Sequence, residues 1–240
     1  MSGTTAESDD TASPPGKVPR RYGGRTPEER QADRRRRLLD AGLELFGTAG
    51  FTPVGINRIC AAAGVTARHF YEDFPTREDL FVALYDEIMA DVVTTIDAAL
   101  ASAPDDHIGV TETSLGAYVH ALLDDPRRAR ICCVELQGVS EQVRRHAADH
   151  FAFFADMIYA QAVRLAESGH IRIAEHTNFI TTVLVGGTNE AMVSWLRAED
   201  PPPIDTLVEE LTRVYVAVGL MPSTIEWRAA RAGRSIPPTD

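Results

Sequence analysis

The chain has 240 residues, of which 44% are hydrophobic and 25% charged, as in an ordinary globular protein of one or two domains. It contains no uninterrupted apolar run of about 18 residues and no apolar segment behind its first residues, so neither a membrane span nor a signal peptide is predicted. We therefore expect a soluble, cytoplasmic protein.

Charge is distributed unevenly along the chain. The formal net charge is −11, but residues 17–77 carry 12 basic and 7 acidic side chains, whereas residues 81–240 carry 12 basic and 23 acidic ones. A polyanion such as DNA would therefore be attracted to the N-terminal quarter and repelled by the rest.

The three cysteines do not form a recognisable metal or redox motif. Cys60, Cys132 and Cys133 lack C-x-x-C spacing, and two of them are adjacent. We expect them to be buried apolar residues in a reducing compartment. The alternative is a thiol sensor, which would require a lowered thiol pKa.

The chain begins with a segment of low hydrophobicity. Residues 1–24 are predicted to be a flexible tail, because they cannot bury enough apolar surface to become ordered. The sequence TPEE then predicts a helix start, with Thr26 as N-cap and Glu29 completing a capping box. This helix carries an apolar stripe and is predicted to end at Gly50 in a left-handed conformation.

Two short helices follow, separated by a tight turn. The sequence INRICAAAG predicts about two helical turns that end at Gly64. Thr66 caps the second helix, in which Phe70 and Phe74 share one face. Two short helices joined by a Gly-containing turn are the sequence form of a helix-turn-helix.

The rest of the chain also has helical periodicity. Thr76 and Asp79 are predicted to cap a long helix with an apolar stripe at steps of four residues. Beyond Pro104 no segment alternates as a strand would, and helical spacing recurs in residues 108–124, 127–137, 140–168, 175–198 and 204–219. The sequence therefore predicts an all-α fold.

The N-terminal part resembles the TetR family of bacterial transcriptional repressors. The resemblance rests on LLDAGLELFGTAGF and INRICAAAGVTARHFYEDFPTREDLF, in the order and spacing of the family. One departure is Val54 and Gly55, where the family commonly has a Thr-Thr pair that caps the second helix. The resemblance implies a three-helix helix-turn-helix DNA-binding domain at residues 25–75 and a larger helical ligand-binding and dimerisation domain at 76–220. Residues 221–240 are Pro-flanked and polar and are predicted to be a C-terminal tail.

The second helix of the motif is the predicted recognition helix, because its N-terminal residues would approach base edges in the major groove. Arg68 is expected to donate to a guanine and Ala67 to contact a thymine methyl group, while the resemblance assigns phosphate contacts to Tyr71 and Arg77. The predicted DNA-binding residues are Asn57, Arg58, Thr66, Ala67, Arg68, His69, Tyr71 and Arg77. The alternatives are that Arg68 is a solvated surface charge, that His69 packs on its own helix or meets only water, and that Tyr71 is half-buried with its hydroxyl in water.

A basic run precedes the apolar stripe of the first helix. It comprises Arg34 to Arg37, and the tail adds Lys17, Arg20, Arg21 and Arg25. These residues either follow the DNA backbone or form a solvated helix start.

The resemblance implies that the last two long helices pack against those of a second copy. The predicted interface residues are Val183, Gly187, Met192, Trp195, Leu207, Leu211, Val214 and Val218. Packing within one protomer is the alternative. The apolar helices imply a small hydrophobic or aromatic effector, and the candidate pocket residues are Tyr118, His120, Glu135, Gln137, His150, Phe154, Tyr159 and Asn178.

Neither a metal nor a cofactor is predicted. His146 and His150 lie four residues apart on a predicted helix, a spacing that could hold a metal ion, but no partner carboxylate or cysteine is evident from the sequence.

These features favour a ligand-responsive repressor that binds a palindromic operator as a homodimer. The first alternative is a ligand-insensitive or architectural DNA-binding protein. The second is a helical enzyme, which the sequence disfavours because it contains no nucleophile elbow, P-loop, dinucleotide fingerprint or H-E-x-x-H motif.

Overall fold

The computed structural model describes residues 26–171 and 177–219, and every regular element in these ranges is helical. The α-helices are α1 (Pro27–Ala49), α2 (Ile56–Ala63), α3 (Ala67–Asp73), α4 (Arg77–Leu100), α5 (His107–Leu123), α6 (Pro126–Ala129), α7 (Glu141–Glu167), α8 (Thr177–Arg197) and α9 (Ile204–Gly219). The all-α prediction is therefore confirmed. The predicted tails, residues 1–24 and 221–240, lie outside the described residues. Within the described ranges, no helix combines the length and apolar character needed to cross a membrane.

Helix α1 begins at the predicted capping box. Thr26 Oγ1 accepts a hydrogen bond from the N–H of Glu29 at 3.2 Å, and the Glu29 carboxylate accepts one from the N–H of Thr26 at 2.7 Å. At the other end Gly50 has the predicted positive φ, 88°, but its ψ is 165°, an extended value and not a left-handed helical one. This backbone region is open essentially only to glycine. It directs Phe51 onto the rings of Phe46 and Phe81, each 5.3 Å away.

Helices α1 to α3 form a small bundle, which we call the head. Its centre is filled by Phe46, Ile59, Phe70 and Phe74, none of which is more than 2% exposed. Helix α2 ends at Gly64 in the left-handed conformation (φ 63°, ψ 40°), as the sequence predicts. The turn therefore reverses the chain tightly before α3 begins.

Helix α4 links the head to the remaining helices. It begins with the predicted capping box of Thr76 and Asp79. Its predicted apolar stripe is buried along its whole length, and the stripe consists of Leu80, Leu84, Ile88, Val92 and Ile96. Helix α4 packs against α1 in the head and against α5 in the rest of the chain, where α5 also packs on α9 and α7 on α8.

The predicted helix at 127–137 is not one α-helix. Helix α6 gives way to a π-helical turn, Arg130–Val134, and then to a 3-10 turn, Glu135–Gly138. The N–H of Glu135 donates to the carbonyl of Arg130, which is the five-residue hydrogen bond of a π turn. Because of this wider turn, the side chains of Arg130 and Glu135 stand on the same side, with Nε and Oε1 3.0 Å apart. A regular α-helix would separate them.

All three cysteines are free and buried, as predicted. Burial raises the pKa of the Cys133 thiol to about 12 and that of Cys132 well above its usual value. A thiol with a raised pKa is a poor nucleophile, so burial disfavours the thiol-sensor alternative at these two positions.

Candidate DNA-binding surface and ligand cavity

Helix α3 has one buried face and one exposed face. Thr66 Oγ1 accepts a hydrogen bond from the N–H of His69 at 3.4 Å and so caps the helix. Thr66, Ala67, Arg68 and His69 are exposed, and Tyr71 is 55% exposed. The first turn of α3 therefore presents a continuous polar surface to solvent.

Arg68 pairs with Glu72 on its own helix. Its Nε is 3.3 Å from Oε1 of Glu72, one helical turn away, and the Arg68 side chain is 87% exposed. Such an exposed pair contributes little to stability. The guanidinium can therefore leave Glu72 at small cost.

Helix α3 is fixed to α1 by a bidentate ion pair. Arg34 donates to Asp73 from Nε at 2.5 Å and from Nη2 at 3.0 Å, and Gln31 adds a hydrogen bond at 3.1 Å. The Asp73 side chain is 1% exposed. Burial acts to raise the pKa of Asp73, but the hydrogen bonds from Arg34 and Gln31 outweigh it and hold the pKa below its usual value. The charged pair thus sets the orientation of the exposed α3 surface.

The other arginines of the basic run also have partners within the head. Arg35 lies over the ring of Phe74 at 4.3 Å, Arg36 pairs with acidic side chains, and Arg37 donates to the carbonyl of Ala63 at 2.9 Å. These contacts give the run a structural role. The tail residues Lys17, Arg20, Arg21 and Arg25 lie outside the described residues.

At the start of α2, Asn57 and Arg58 are exposed. The two residues that depart from the family pattern have different surroundings: Val54 is fully buried, and Gly55 occupies the N-cap position without a side-chain cap. Asn57 and Arg58 therefore face solvent at the start of α2, the helix that packs against α3.

Arg77, the other predicted phosphate contact, has partners within the protein. Its Nη1 donates to the carbonyls of Phe51 at 3.2 Å and Val54 at 2.5 Å, and the guanidinium lies 3.9 Å from the centre of the Phe51 ring. The guanidinium is thus engaged by the loop between α1 and α2. Arg77 holds that loop to the start of α4.

A cavity of about 340 Å³ lies between α4, α5, α7, α8 and α9. Its walls are mainly apolar, with residues such as Ile96, Leu115, Phe154, Ile158 and Leu184. Polar groups include Thr188 and Tyr215, whose hydroxyls are 2.8 Å apart. A concave apolar space with a few polar groups is typical of a small-molecule site.

The titratable lining residues that lie at helix ends are an aspartate, a histidine and an arginine. Asp97 lies near the end of α4, His107 begins α5, and Arg164 lies near the end of α7. Burial lowers the pKa of His107, with His170 adding to the effect, and this favours the neutral imidazole. This charged end of the cavity is the one farther from the head, because α4 leaves the head at its N-terminus.

Two phenols lie in the cavity wall. Burial raises the pKa of Tyr118 well above its usual value and that of Tyr215 to about 12. Both are therefore neutral hydrogen-bonding groups at physiological pH. Tyr118 also packs edge-on against Phe154, with 5.4 Å between the ring centres.

Only part of the predicted pocket set lines this cavity. Tyr118 and Phe154 do. His120 does not, since its ring lies between Asp124 and Asp205 at 2.9 and 3.0 Å. Gln137 is exposed in the 3-10 turn, Tyr159 is 36% exposed, and the side chain of Asn178 is outside the described residues.

Glu135 and His150 also lie away from the cavity. The Glu135 carboxylate accepts a hydrogen bond from the N–H of Phe51 at 2.8 Å, so it belongs to the contact with the head. His150 Nε2 is 3.2 Å from Asp86 Oδ1. Sequence reasoning missed Thr188, Tyr215 and Arg164, although Arg164 shares its face of α7 with Phe154 and Gln161 at helical spacing.

The predicted interface residues of α8 and α9 differ in their exposure to solvent. Val183 and Val214 are 55% and 53% exposed, and a Cβ placed on Gly187 would meet nothing within 4 Å. Met192 and Leu211 are buried inside the protomer, and Trp195 donates to the carbonyl of Pro202 at 2.8 Å. Leu207 and Val218 are half-buried, and Val218 lines the cavity. The exposed apolar face also includes Phe179, which is 72% exposed.

Comparisons with known proteins agree with this architecture. Residues 38–84 match the family model described as bacterial regulatory proteins, tetR family. The chain is 24% identical over 190 residues to the HTH-type transcriptional repressor DhaR of Mycobacterium sp. (strain GP1). This alignment covers 79% of this chain and 93% of that protein.

Two solved structures share the fold. The fatty acid degradation regulator FadR from Bacillus halodurans aligns with a TM-score of 0.70 at 18% identity, over 76% of this chain and 94% of that chain. The transcriptional regulator FadR from Bacillus subtilis, solved in complex with stearoyl-CoA, aligns with a TM-score of 0.69 at 16% identity, over 78% and 99%. Residues 38–84 therefore match the DNA-binding domain of the tetR family, and the chain is a DNA-binding transcriptional regulator.

Proposed function

We propose that the protein is a homodimeric repressor, released from a palindromic operator by an amphipathic ligand. Residues 25–75 read DNA, and residues 76–220 bind the ligand and the second protomer. The observation that carries this proposal is the placement of two features at opposite ends of α4. These are the exposed first turn of α3 and the apolar cavity.

The DNA-reading residues are those on the exposed surface of the head. Arg68 donates to a guanine, Ala67 contacts a thymine methyl group, and Thr66 and His69 border them. Tyr71, Asn57 and Arg58 contact phosphates and so position the head without selecting bases. Arg77 acts indirectly, because its guanidinium holds the loop before α2.

The homodimer forms through the apolar face of α8 and α9. Val183, Val214 and Phe179 are too exposed for packing within one protomer, and Gly187 permits close approach of a second helix. The buried residues Met192 and Leu211 support this face from inside. Two heads related by a two-fold axis would read two half-sites about 34–36 Å apart, or a multiple of that spacing.

The ligand is proposed to have an apolar chain and a polar head. The chain would lie among Phe154, Ile158 and Leu184, and the head near Arg164 and His107 at the charged end. The Bacillus subtilis structure of the same fold was solved with stearoyl-CoA. A long-chain acyl thioester of coenzyme A is therefore the first class to test.

Helix α4 connects ligand and DNA. It has 24 residues, which span about 36 Å at 1.5 Å per residue. Ile96, Asp97 and Leu100 at its end line the cavity, and Arg77 at its start holds the head. A ligand that displaces the end of α4 changes the separation of the two heads and so lowers DNA affinity. Bound DNA must then lower ligand affinity by the same factor.

The test is selection of the full-length protein on random duplex DNA, followed by titration with ligand. We expect a palindromic motif that is released by stearoyl-CoA but not by coenzyme A or acetyl-CoA. An enriched motif without two-fold symmetry would contradict the proposal that a homodimer binds the operator. Unchanged DNA affinity and thermal stability with every acyl chain length would contradict the proposed ligand class.

A further inference from the structure

One carboxylate and two imidazoles converge between α4 and α7, outside the residues that line the cavity. His146 Nε2 lies 2.6 Å and His150 Nε2 3.2 Å from the same oxygen, Oδ1 of Asp86. The three potential ligand atoms all lie within 4.8 Å of one another. The side chains are 27–43% exposed, so solvent and small ions reach the cluster.

We propose that Asp86, His146 and His150 bind a divalent transition-metal ion of the zinc class. Imidazole nitrogen and carboxylate oxygen are preferred ligands of Zn²⁺, and Co²⁺ and Ni²⁺ accept similar sets. His146 and His150 are four residues apart and so lie on the same face of α7. With three protein ligands, the ion keeps at least one position for water.

The surroundings hold the two imidazoles in place. The ring of Tyr85, which is 3% exposed, lies edge-on to His150 at 5.0 Å and to His146 at 6.2 Å between ring centres. A fixed aromatic wall limits the freedom of both side chains. Less conformational entropy is therefore lost when an ion orders them.

The charges along α4 set Asp86 apart from its neighbours. Glu87 pairs with Arg36, and Asp91 pairs with Arg128 at 2.6 Å. Asp86 instead faces two imidazoles, which coordinate metal in their neutral form. The carboxylate charge is thus available to a cation held by the two rings.

A bound ion would join α4 to α7, two helices that both contribute to the cavity wall. Asp86 lies in the middle of α4, between the head and the cavity-lining residue Ile96. The ion therefore adds a link across a pair of helices that pack on each other over a small area. It should raise the thermal stability of the protein, since an ion that binds only the folded state stabilises it.

The direct test is a titration of tag-free, EDTA-treated full-length protein with Co²⁺. We expect one ion per chain, visible d–d absorption, displacement by Zn²⁺, and a higher Tm with Zn²⁺ but not with Mg²⁺, which prefers oxygen ligands. Absence of stoichiometric Co²⁺ binding would overturn the proposal.

Variants locate the ion. Asp86→Asn, His146→Gln and His150→Gln should each weaken Co²⁺ binding at least tenfold, with circular dichroism unchanged. Asp86→Asn keeps an acceptor oxygen for the imidazoles, so it tests coordination with little effect on folding. The matched control is His120→Gln, because the two nitrogens of His120 face different carboxylates and do not converge on one ion. The proposal would also be overturned if all three site variants bound Co²⁺ with wild-type affinity, or if only the control variant lost Co²⁺ binding.

Discussion

The carboxylate of Glu135 accepts a hydrogen bond from the backbone N–H of Phe51 at 2.8 Å, although the two residues are 84 positions apart in the chain. Arg130 joins the same contact, donating to Glu135 at 3.0 Å and to the carbonyl of Thr48 at 3.0 Å. Because Phe51 lies just after the end of α1, residues 130–135 fasten the C-terminal helices to the head. This contact is a second link beside α4.

Removal of the Glu135 carboxylate should weaken that link. Glu135→Ala leaves the N–H of Phe51 without its acceptor, and an unsatisfied buried donor costs about 1–3 kcal/mol. We expect a corresponding loss of unfolding free energy in urea and a smaller effect of ligand on DNA affinity. Glu135→Gln keeps an acceptor and should lose less stability. Equal stability of Glu135→Ala and wild type would show that the contact does not hold the head.

Arg68 should determine preference at one base pair of the operator. Arg68→Ala is expected to cost about 1–3 kcal/mol on the specific site and to relax selection at one position. Competition binding against operators substituted at each position measures both effects. The control is Glu72→Ala, which removes the partner of Arg68 at 3.3 Å and leaves the guanidinium free. Unchanged affinity and footprint in Arg68→Ala would remove Arg68 from the reading surface.

Tyr71 should contribute affinity without sequence preference. Its ring packs edge-on against Phe70 with 5.6 Å between centres, while its side chain is largely exposed. Tyr71→Phe keeps this packing and removes the hydroxyl, so binding to specific and random DNA should weaken by similar factors. Fluorescence anisotropy on both duplexes measures the two factors. A loss restricted to the specific duplex would assign Tyr71 to base reading instead.

Asp73 should make the stability of the head depend on pH. Its pKa in the folded state is below the unfolded value of about 3.9, so its contribution is complete above that value and is lost as pH falls through the folded pKa. Asp73→Asn should lower the unfolding free energy at pH 7 by about 1–3 kcal/mol, and the difference from wild type should shrink towards pH 3. Urea unfolding at pH 7, 5 and 3 measures this. Glu141→Gln, at an exposed pair with Arg144, is the control expected to show little change.

The features that were predictable from the sequence are local ones. The capping boxes at Thr26 and Thr76 and the glycine at 64 depend on residues within a few positions, and each is present as predicted. The inward position of Phe70 also follows from helical periodicity. These signals located the helices and the exposed surface of α3.

The features that could not be predicted depend on packing between distant segments. The guanidinium of Arg77 donates to carbonyls of a loop more than 20 residues earlier in the chain. The contacts of Glu135 depend on a π turn that no local pattern indicates. The four-residue spacing of His146 and His150 is visible in the sequence. Their partner Asp86 is not, because it lies on another helix, 60 residues before His146. Side-chain type alone does not reveal which helix faces which.

Val183 should be required for the dimer. It is 55% exposed on α8, and an aspartate there would place a charge in the proposed apolar interface, where its desolvation is costly. We expect Val183→Asp to be monomeric by sedimentation and to lose cooperative binding to a palindromic operator, with helical content unchanged. The matched control is Ile108→Asp on α5, because Ile108 is 57% exposed and lies outside the α8 and α9 face. A Val183→Asp protein that stays dimeric would place the interface on another surface, and a monomeric Ile108→Asp protein would place it on α5.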